Sequence, residues 1–181
     1  YGFAHDFAKR LSQVLEDSGK DLVFAQTMGK AIDGSIAPIH PPLPPICLVA
    51  SNFIPINAYV VRADFFLDAN LRFPEDMDYV EDWDILLQML AKGASFMPCF
   101  ETHAEIRLIG DGNATFKHNP EHFERCYNRL RDKGQTIAKS TSIGLLLWDV
   151  AAFDWKKRPY PLHEHEMGLL EEVFAFFRAK A

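Results

Sequence analysis

Residues 72–87 read Arg72-Phe73-Pro74-Glu75-Asp76-Met77-Asp78-Tyr79-Val80-Glu81-Asp82-Trp83-Asp84-Ile85-Leu86-Leu87, and six carboxylates fall within the first thirteen of them. Acidic groups packed that closely repel one another unless a cation, a helix N-terminus or a proton-transfer role relieves the charge. Trp83, Leu86, Leu87 and Leu90 recur at helical spacing, so a helix is predicted from Glu81 to Ala91, with Gly93 stopping it. Glu81 and Asp82 then occupy its first turn, where the helix macrodipole favours negative charge. On charge alone, an ordinary acidic helix start is the stronger account of the pair.

The elements around this stretch alternate between strand and helix. Phe3, Phe7, Leu11, Val14 and Leu15 share one face at helical spacing, which predicts an amphipathic helix over residues 3–17 ended at Ser18-Gly19-Lys20. Residues 21–26 read as a buried strand, and Ile32-Asp33-Gly34-Ser35 as a turn. Five prolines within residues 38–45 predict an extended loop, because proline lacks a backbone donor and fixes φ. A plain connector is the simpler reading of that loop, a substrate-contacting one the sharper. Residues 56–62 alternate as a strand, and residues 63–69 form a short helix ending near Asn70. Strand character returns at 95–108, helix at 120–139, an apolar run at 143–155 and a last helix at roughly 163–179. Leu169, Leu170, Val173, Phe174 and Phe177 give that last helix an apolar stripe, which should pack on the body of the domain or on a second copy.

The order of these pieces resembles the C-terminal half of the catalytic domain in family-2 GT-A glycosyltransferases. That family shows an apolar strand ending in Arg, then Phe-x-Glu, then Glu-Asp-aromatic-Asp heading a helix. Here the positions read Tyr59-Val60-Val61-Arg62, Phe73-Pro74-Glu75 and Glu81-Asp82-Trp83-Asp84, and the following strand carries Glu105-Ile106-Arg107. The opening helix followed by Asp21-Leu22-Val23-Phe24 is similar to the segment just after the family's metal-binding Asp-x-Asp. The resemblance spans roughly residues 1–115. It implies an α/β chain with a partial GT-A (nucleotide-diphospho-sugar transferase) fold: residues 1–115 as the acceptor-side part and 116–181 as a C-terminal helical extension.

The resemblance also implies a reaction. A nucleoside diphosphate sugar donates its sugar, with inversion, to a hydroxyl of a glycan or lipid-linked acceptor. A hydroxyl is a poor nucleophile at neutral pH, so a base within hydrogen-bond reach is required. By the motif, Asp82 is that catalytic base, while Glu81, Trp83 and Arg107 shape the acceptor site. Core packing is an equally good account of Trp83. A divalent metal, Mn or Mg, would offset charge on the leaving diphosphate and be ligated mainly outside this chain. No Asp-x-Asp precedes the first helix; Asp76-Met77-Asp78 has the letters in the wrong place. A metal-binding His that some relatives carry would correspond to Leu108-Ile109; His103 and His118 do not match it, and the processive relatives' Gln-x-x-Arg-Trp is absent. The expectation is therefore a non-processive transferase whose activity this chain lacks on its own.

Composition narrows the alternatives. With 48% apolar and 24% charged residues a packed core is affordable, and a net charge of −6 argues against nucleic acid as a partner. Lys156-Lys157-Arg158 is a solvated turn. Cys47, Cys99 and Cys126 are too scattered for a disulfide framework, and Cys99 reads as a buried inert thiol. No apolar run approaches the ~20 residues that span a bilayer, no leader is visible, and a cytoplasmic location, peripheral to a membrane at most, is expected. His163-Glu164-His165-Glu166 invites a metal reading, but imidazoles at i and i+2 diverge on a helix. Gly110-Asp111-Gly112-Asn113 is turn chemistry or a sugar-contacting loop. The rival from another class is a non-catalytic, helix-rich interaction module docking onto a partner or another domain through the apolar C-terminal helix; a homo-oligomer through the same helix is a separate expectation.

Overall fold

The computed structural model describes residues 2–3, 6–40, 42–107, 119–142, 150–158 and 161–178. In chain order the elements are β1 (Gly2–Phe3), α1 (Phe7–Ser18), β2 (Leu22–Lys30), β3 (Ile36–His40), β4 (Tyr59–Val61), α2 (Ala63–Asp68), α3 (Glu81–Ala91), β5 (Phe96–Arg107), α4 (Pro120–Ser140) and α5 (Glu164–Arg178). The chain is thus mixed α/β with a small mixed sheet, as the alternating patterns predict.

Residues 22–29 are all buried, the signature of a strand covered on both faces. β2 is accordingly the centre of the sheet. It runs parallel to β5 along one edge; on its other edge it pairs antiparallel with β4 through Leu22, Val23 and Phe24, and with β3 from Thr27 to Lys30. Alternation sends successive β2 side chains to opposite faces. Val23 and Ala25 join Phe7 and Leu11 of α1, with Ala58, Cys99 and Ala104. Leu22 and Phe24 join the larger core built from α3, α4 and α5. That core holds residues from both sides of the expected boundary near 115, and the boundary itself, with residues 108–118, lies outside the described residues.

Two expectations change. The proline-rich segment is not simply an extended loop. Residues 38–40 complete β3, and Pro45–Val49 form a turn of 3₁₀ helix with every residue buried. The φ that proline fixes suits a 3₁₀ first turn, where its missing N–H is not needed. Ile46, Cys47, Leu48 and Val49 supply apolar side chains on all sides of it. Likewise residues 56–58 are 3₁₀ rather than strand, and β4 begins only at Tyr59.

The apolar stripe of α5 is occupied inside the fold: Leu169, Leu170, Val173 and Phe177 are buried in the main core. Of the two expected resting places for that stripe, the body of the chain's own domain is the one it occupies, with Phe174 half-buried at its edge. At the start of α5, Glu166 supplies one half of a capping box, accepting from the His163 N–H at 2.8 Å, and also accepts from Arg158 at 2.8 Å. The His163–Glu166 run thus serves as a helix start. Cys99 is buried and free, as expected, and Cys47 and Cys126 are buried and free as well. Among the described residues, no helix is long and apolar enough to cross a membrane.

α4 crosses the 3₁₀ turn at Gly134. A Cβ at that position would stand 2.0 Å from the Val49 carbonyl oxygen and 2.8 Å from its carbon, so backbone meets backbone with no side chain able to yield. Gly134→Ala should therefore cost about 3 kcal/mol or more in chemical denaturation. Gly168→Ala in α5, where a Cβ meets nothing within 4 Å, should instead gain about 0.5–1 kcal/mol from helix propensity. Equal midpoints for wild type and Gly134→Ala would show that the helix and the turn separate at no cost.

Candidate functional site

α3 starts where the sequence places it, but by an unusual entry. Val80, the residue before it, has φ +57°, ψ +22°, left-handed backbone that a β-branched side chain resists. Such a conformation costs of order 1–2 kcal/mol and persists only where the surroundings enforce it, often at functional sites. No side chain caps the helix. The Trp83 N–H is met by the Val80 carbonyl at 3.0 Å and by the Asp82 carboxylate at 2.8 Å.

The acidic cluster separates into two groups. Asp76 takes Arg129 at 2.7 Å, Asp78 faces His122 at 3.5 Å, and Asp84 takes Lys133 at 2.6 Å, all three partners belonging to α4. Arg129 holds the Asp76 carboxyl below its usual range. These three carboxylates tie α3 and its approach to α4, and Asp76-Met77-Asp78 is in this way a pair of docking residues. Glu75, Glu81 and Asp82 have no ion pair among the described residues; Glu75 is exposed, whereas Glu81 and Asp82 are half-buried.

Asp82 is the unusual member. Burial raises its pKa, and the neighbouring Glu81 pushes it further up. Three donors oppose that by favouring the charged form: the Trp83 N–H, the Asn52 side-chain amide and the Ile56 N–H. The Tyr59 phenol on β4 is raised as well, first by burial and then by the charges of Asp82 and Glu81, so it stays protonated. The site is therefore a half-buried carboxylate with no cation, a second carboxylate beside it and a neutral phenol close by. A carboxylate so placed is more basic than a solvated one and suits accepting a proton from a hydroxyl.

The other predicted site residues part company. Glu81 lies beside Asp82, half-buried. Trp83 is fully buried, donates its indole N–H to the Leu48 carbonyl at 2.8 Å and packs against Tyr127 with ring centroids 5.2 Å apart. It offers no face to a sugar; of the two readings of this residue, core packing is the correct one. Arg107 ends β5 opposite Lys30, while Tyr59 lies opposite Phe24 on the same β2 strand. From Phe24 to Lys30 the rise is roughly 20 Å, so the sheet register does not bring Arg107 to Asp82. Tyr59, Asn52 and the Ile56 N–H were not singled out by sequence. Tyr59 reads there only as a strand residue, and a backbone N–H leaves no mark on side-chain pattern. Residues 108–113 and His118 lie outside the described residues.

A cavity of about 930 Å³ lies near the far end of α3, against Leu90 and Ala94, with Ile46, Phe96, Ile137 and Phe153 in its wall. Asp82 does not line it. Among the described residues no three His, Cys, Asp or Glu converge as metal ligands. No family model matches this chain, and neither a curated protein nor a solved structure is significantly similar to it.

Asp82 and Asp84 should respond oppositely to amide substitution. A carboxyl whose folded pKa is raised contributes stability that is complete below the unfolded value, near 3.8, and is lost as pH rises through the folded value. At pH 7 its charge is a net cost, so Asp82→Asn should melt at or above wild type, the gap closing toward acid pH. Asp84→Asn weakens a pair whose Asp84 side is buried and whose Lys133 side is partly exposed, and removes the carboxylate that Gln88 also meets, so it should lose about 1 kcal/mol. Were Asp82 only a dipole-stabilising helix start, Asp82→Asn would instead lose about 0.3–1 kcal/mol. Thermal melts of the two variants at pH 7 and pH 4 separate these outcomes.

Proposed function

We propose that this chain is the acceptor-side part of an inverting glycosyltransferase of the family-2 GT-A type, with Asp82 as the general base. The observation that supports the reading best is the division of the acidic cluster. Asp76, Asp78 and Asp84 are matched to cationic or histidine partners on α4, whereas Asp82 is half-buried without a cation, its basicity raised. Structural need explains the first three and leaves the fourth to chemistry. The left-handed Val80 immediately before the pair is a second support, since strain of that kind is tolerated where a side chain has to be aimed.

In the reaction, an acceptor hydroxyl oxygen attacks the anomeric carbon of the donor. The bond from that carbon to the diphosphate oxygen breaks, its electron pair leaving with the diphosphate, and the hydroxyl proton passes to an Asp82 carboxylate oxygen. Glu81 keeps Asp82 basic by like-charge repulsion, and Tyr59, held protonated, can donate a hydrogen bond to an acceptor oxygen beside it. A divalent metal would supply charge neutralisation on the leaving group. The described residues do not form a ligand set for it, and the family resemblance puts its ligands on an Asp-x-Asp that this sequence lacks upstream of α1.

The rival reading, an interaction module docking through the C-terminal helix, has less to support it, because Leu169, Leu170, Val173 and Phe177 of that stripe are buried within the chain. In the complete enzyme, Asp82→Asn should lower kcat by about 10²–10⁴ with donor affinity nearly unchanged, because the amide keeps the shape but cannot take the proton. Steady-state kinetics at saturating donor and acceptor read this directly; near-wild-type turnover would remove Asp82 from the role. Asp84→Asn still faces away from the site, but its loss of stability makes it a control only at temperatures where it stays folded.

A further inference from the structure

The cavity at the far end of α3 is separate from the Asp82 site. Leu90 in its wall and Asp82 lie eight residues apart on one helix, a rise of roughly 12 Å. The walls are elements that other contacts already fix: Ile46 belongs to the buried 3₁₀ turn, Leu90 and Ala94 to the end of α3 and the turn after it, Phe96 and Phe100 to β5, and Ile137 to α4. Phe153 closes one side, edge-on to Phe100 with ring centroids 5.9 Å apart, and is backed by Trp155 at 4.8 Å. The hydroxyl groups of the wall have their protons committed. Ser95 gives its proton to Asp21 at 2.7 Å, and Ser140 and Thr141 give theirs to the Ile137 carbonyl at 2.8 and 2.9 Å. Water inside would find few donors, and a void with mainly apolar walls is the kind that takes an apolar guest. At about 930 Å³ the space falls within the ~300–1,000 Å³ of small-molecule sites.

Charge selects the other end of the guest. Lys157 and Asp154 reach the cavity as an ion pair at 3.4 Å. Lys20, half-buried in the same lining, has no ion pair among the described residues. The lining thus carries one cation in excess, in a chain whose net charge is −6. We propose that this cavity binds a single-chain amphiphile, with the alkyl chain between α3, α4 and β5 and an anionic head, such as a carboxylate, at Lys20. Burial of the chain supplies the affinity, and the lysine selects the head. No residue of the Asp82 site lines the cavity, so this binding neither needs the transferase reading nor fails with it.

Isothermal titration calorimetry of the 181-residue chain with dodecanoate, below its micelle concentration, should show one saturable site. Ala94→Phe puts a ring into the space and should weaken binding by about tenfold or more. Lys20→Glu reverses the cation but keeps the backbone carbonyl that Arg62 meets, and should weaken dodecanoate by about fivefold while leaving dodecanol unchanged. Added salt should narrow the difference between the two probes. Should Ala94→Phe fail to fold, spin-labelled stearate on the wild type decides. It should broaden the methyl resonances of Leu90, Ala94 and Ile137 ahead of those of Val14 and Val60 on the α1 face. No saturable binding by the folded wild type, binding that Ala94→Phe leaves unchanged, or broadening spread evenly over the chain overturns the proposal. Equal losses for dodecanoate and dodecanol in Lys20→Glu overturn the anionic head.

Discussion

The Pro45–Val49 turn is the piece against which α3, α4 and α5 are all assembled. Its main chain, not only its side chains, makes the contacts. The Leu48 carbonyl accepts the Trp83 indole, and the Val49 carbonyl lies where a side chain on Gly134 would have to go. A buried carbonyl without a donor would cost about 1–3 kcal/mol, so the Trp83 bond fixes the position of α3 as well as filling space. Close approach at Gly134 does the same for α4. Prolines make this possible by restricting the turn before it packs, which lowers the entropy that ordering it would otherwise lose.

That constraint reaches the candidate site through the geometry of one helical turn. Successive residues of a helix point about 100° apart. With Trp83 driven into the core toward Leu48, Asp82 on one side of it turns toward the 52–56 loop and Asp84 on the other toward Lys133. Gln88, one turn on, also donates to Asp84 at 2.5 Å and so keeps that carboxylate on the structural side. Three neighbouring residues thus have three separate tasks. The rigidity of the middle one is what gives the other two defined directions, and an aimed carboxylate on a helix fixed by its neighbour is more exact than one on a free loop.

Charge is distributed by the same logic. The carboxylates that tie α3 and its approach to α4 are matched, so their repulsion is relieved locally. Asp82 is left beside Glu81 in a half-buried position, which the fold tolerates at a cost in stability near neutral pH. The left-handed Val80 adds to that cost. Local departures of this kind at a helix start are the pattern expected where function competes with stability.

Periodicity alone determined much of this chain. The bounds of α3, the helical character of α4 and α5, the buried β2 and the turn at Asp33-Gly34 all follow from side-chain spacing, because burial of one helix face or both strand faces dictates residue type locally. Asp82 and Glu81 were legible as a pair for the same reason. What the sequence could not assign was which acid has a partner, since Arg129 and Lys133 lie about fifty residues from Asp76 and Asp84 and are brought there only by packing. Nor could it distinguish Trp83 as a core residue from Trp83 as a ligand face, because an aromatic at a helix start satisfies both. The 3₁₀ turn was hidden by its prolines, whose fixed φ serves an extended loop and a tight turn equally well. Gly134 looks like a weak point in a helix until Val49 is placed against it. Tertiary structure decided these because each depends on what stands opposite a residue, and a one-dimensional pattern records only the residue's own side.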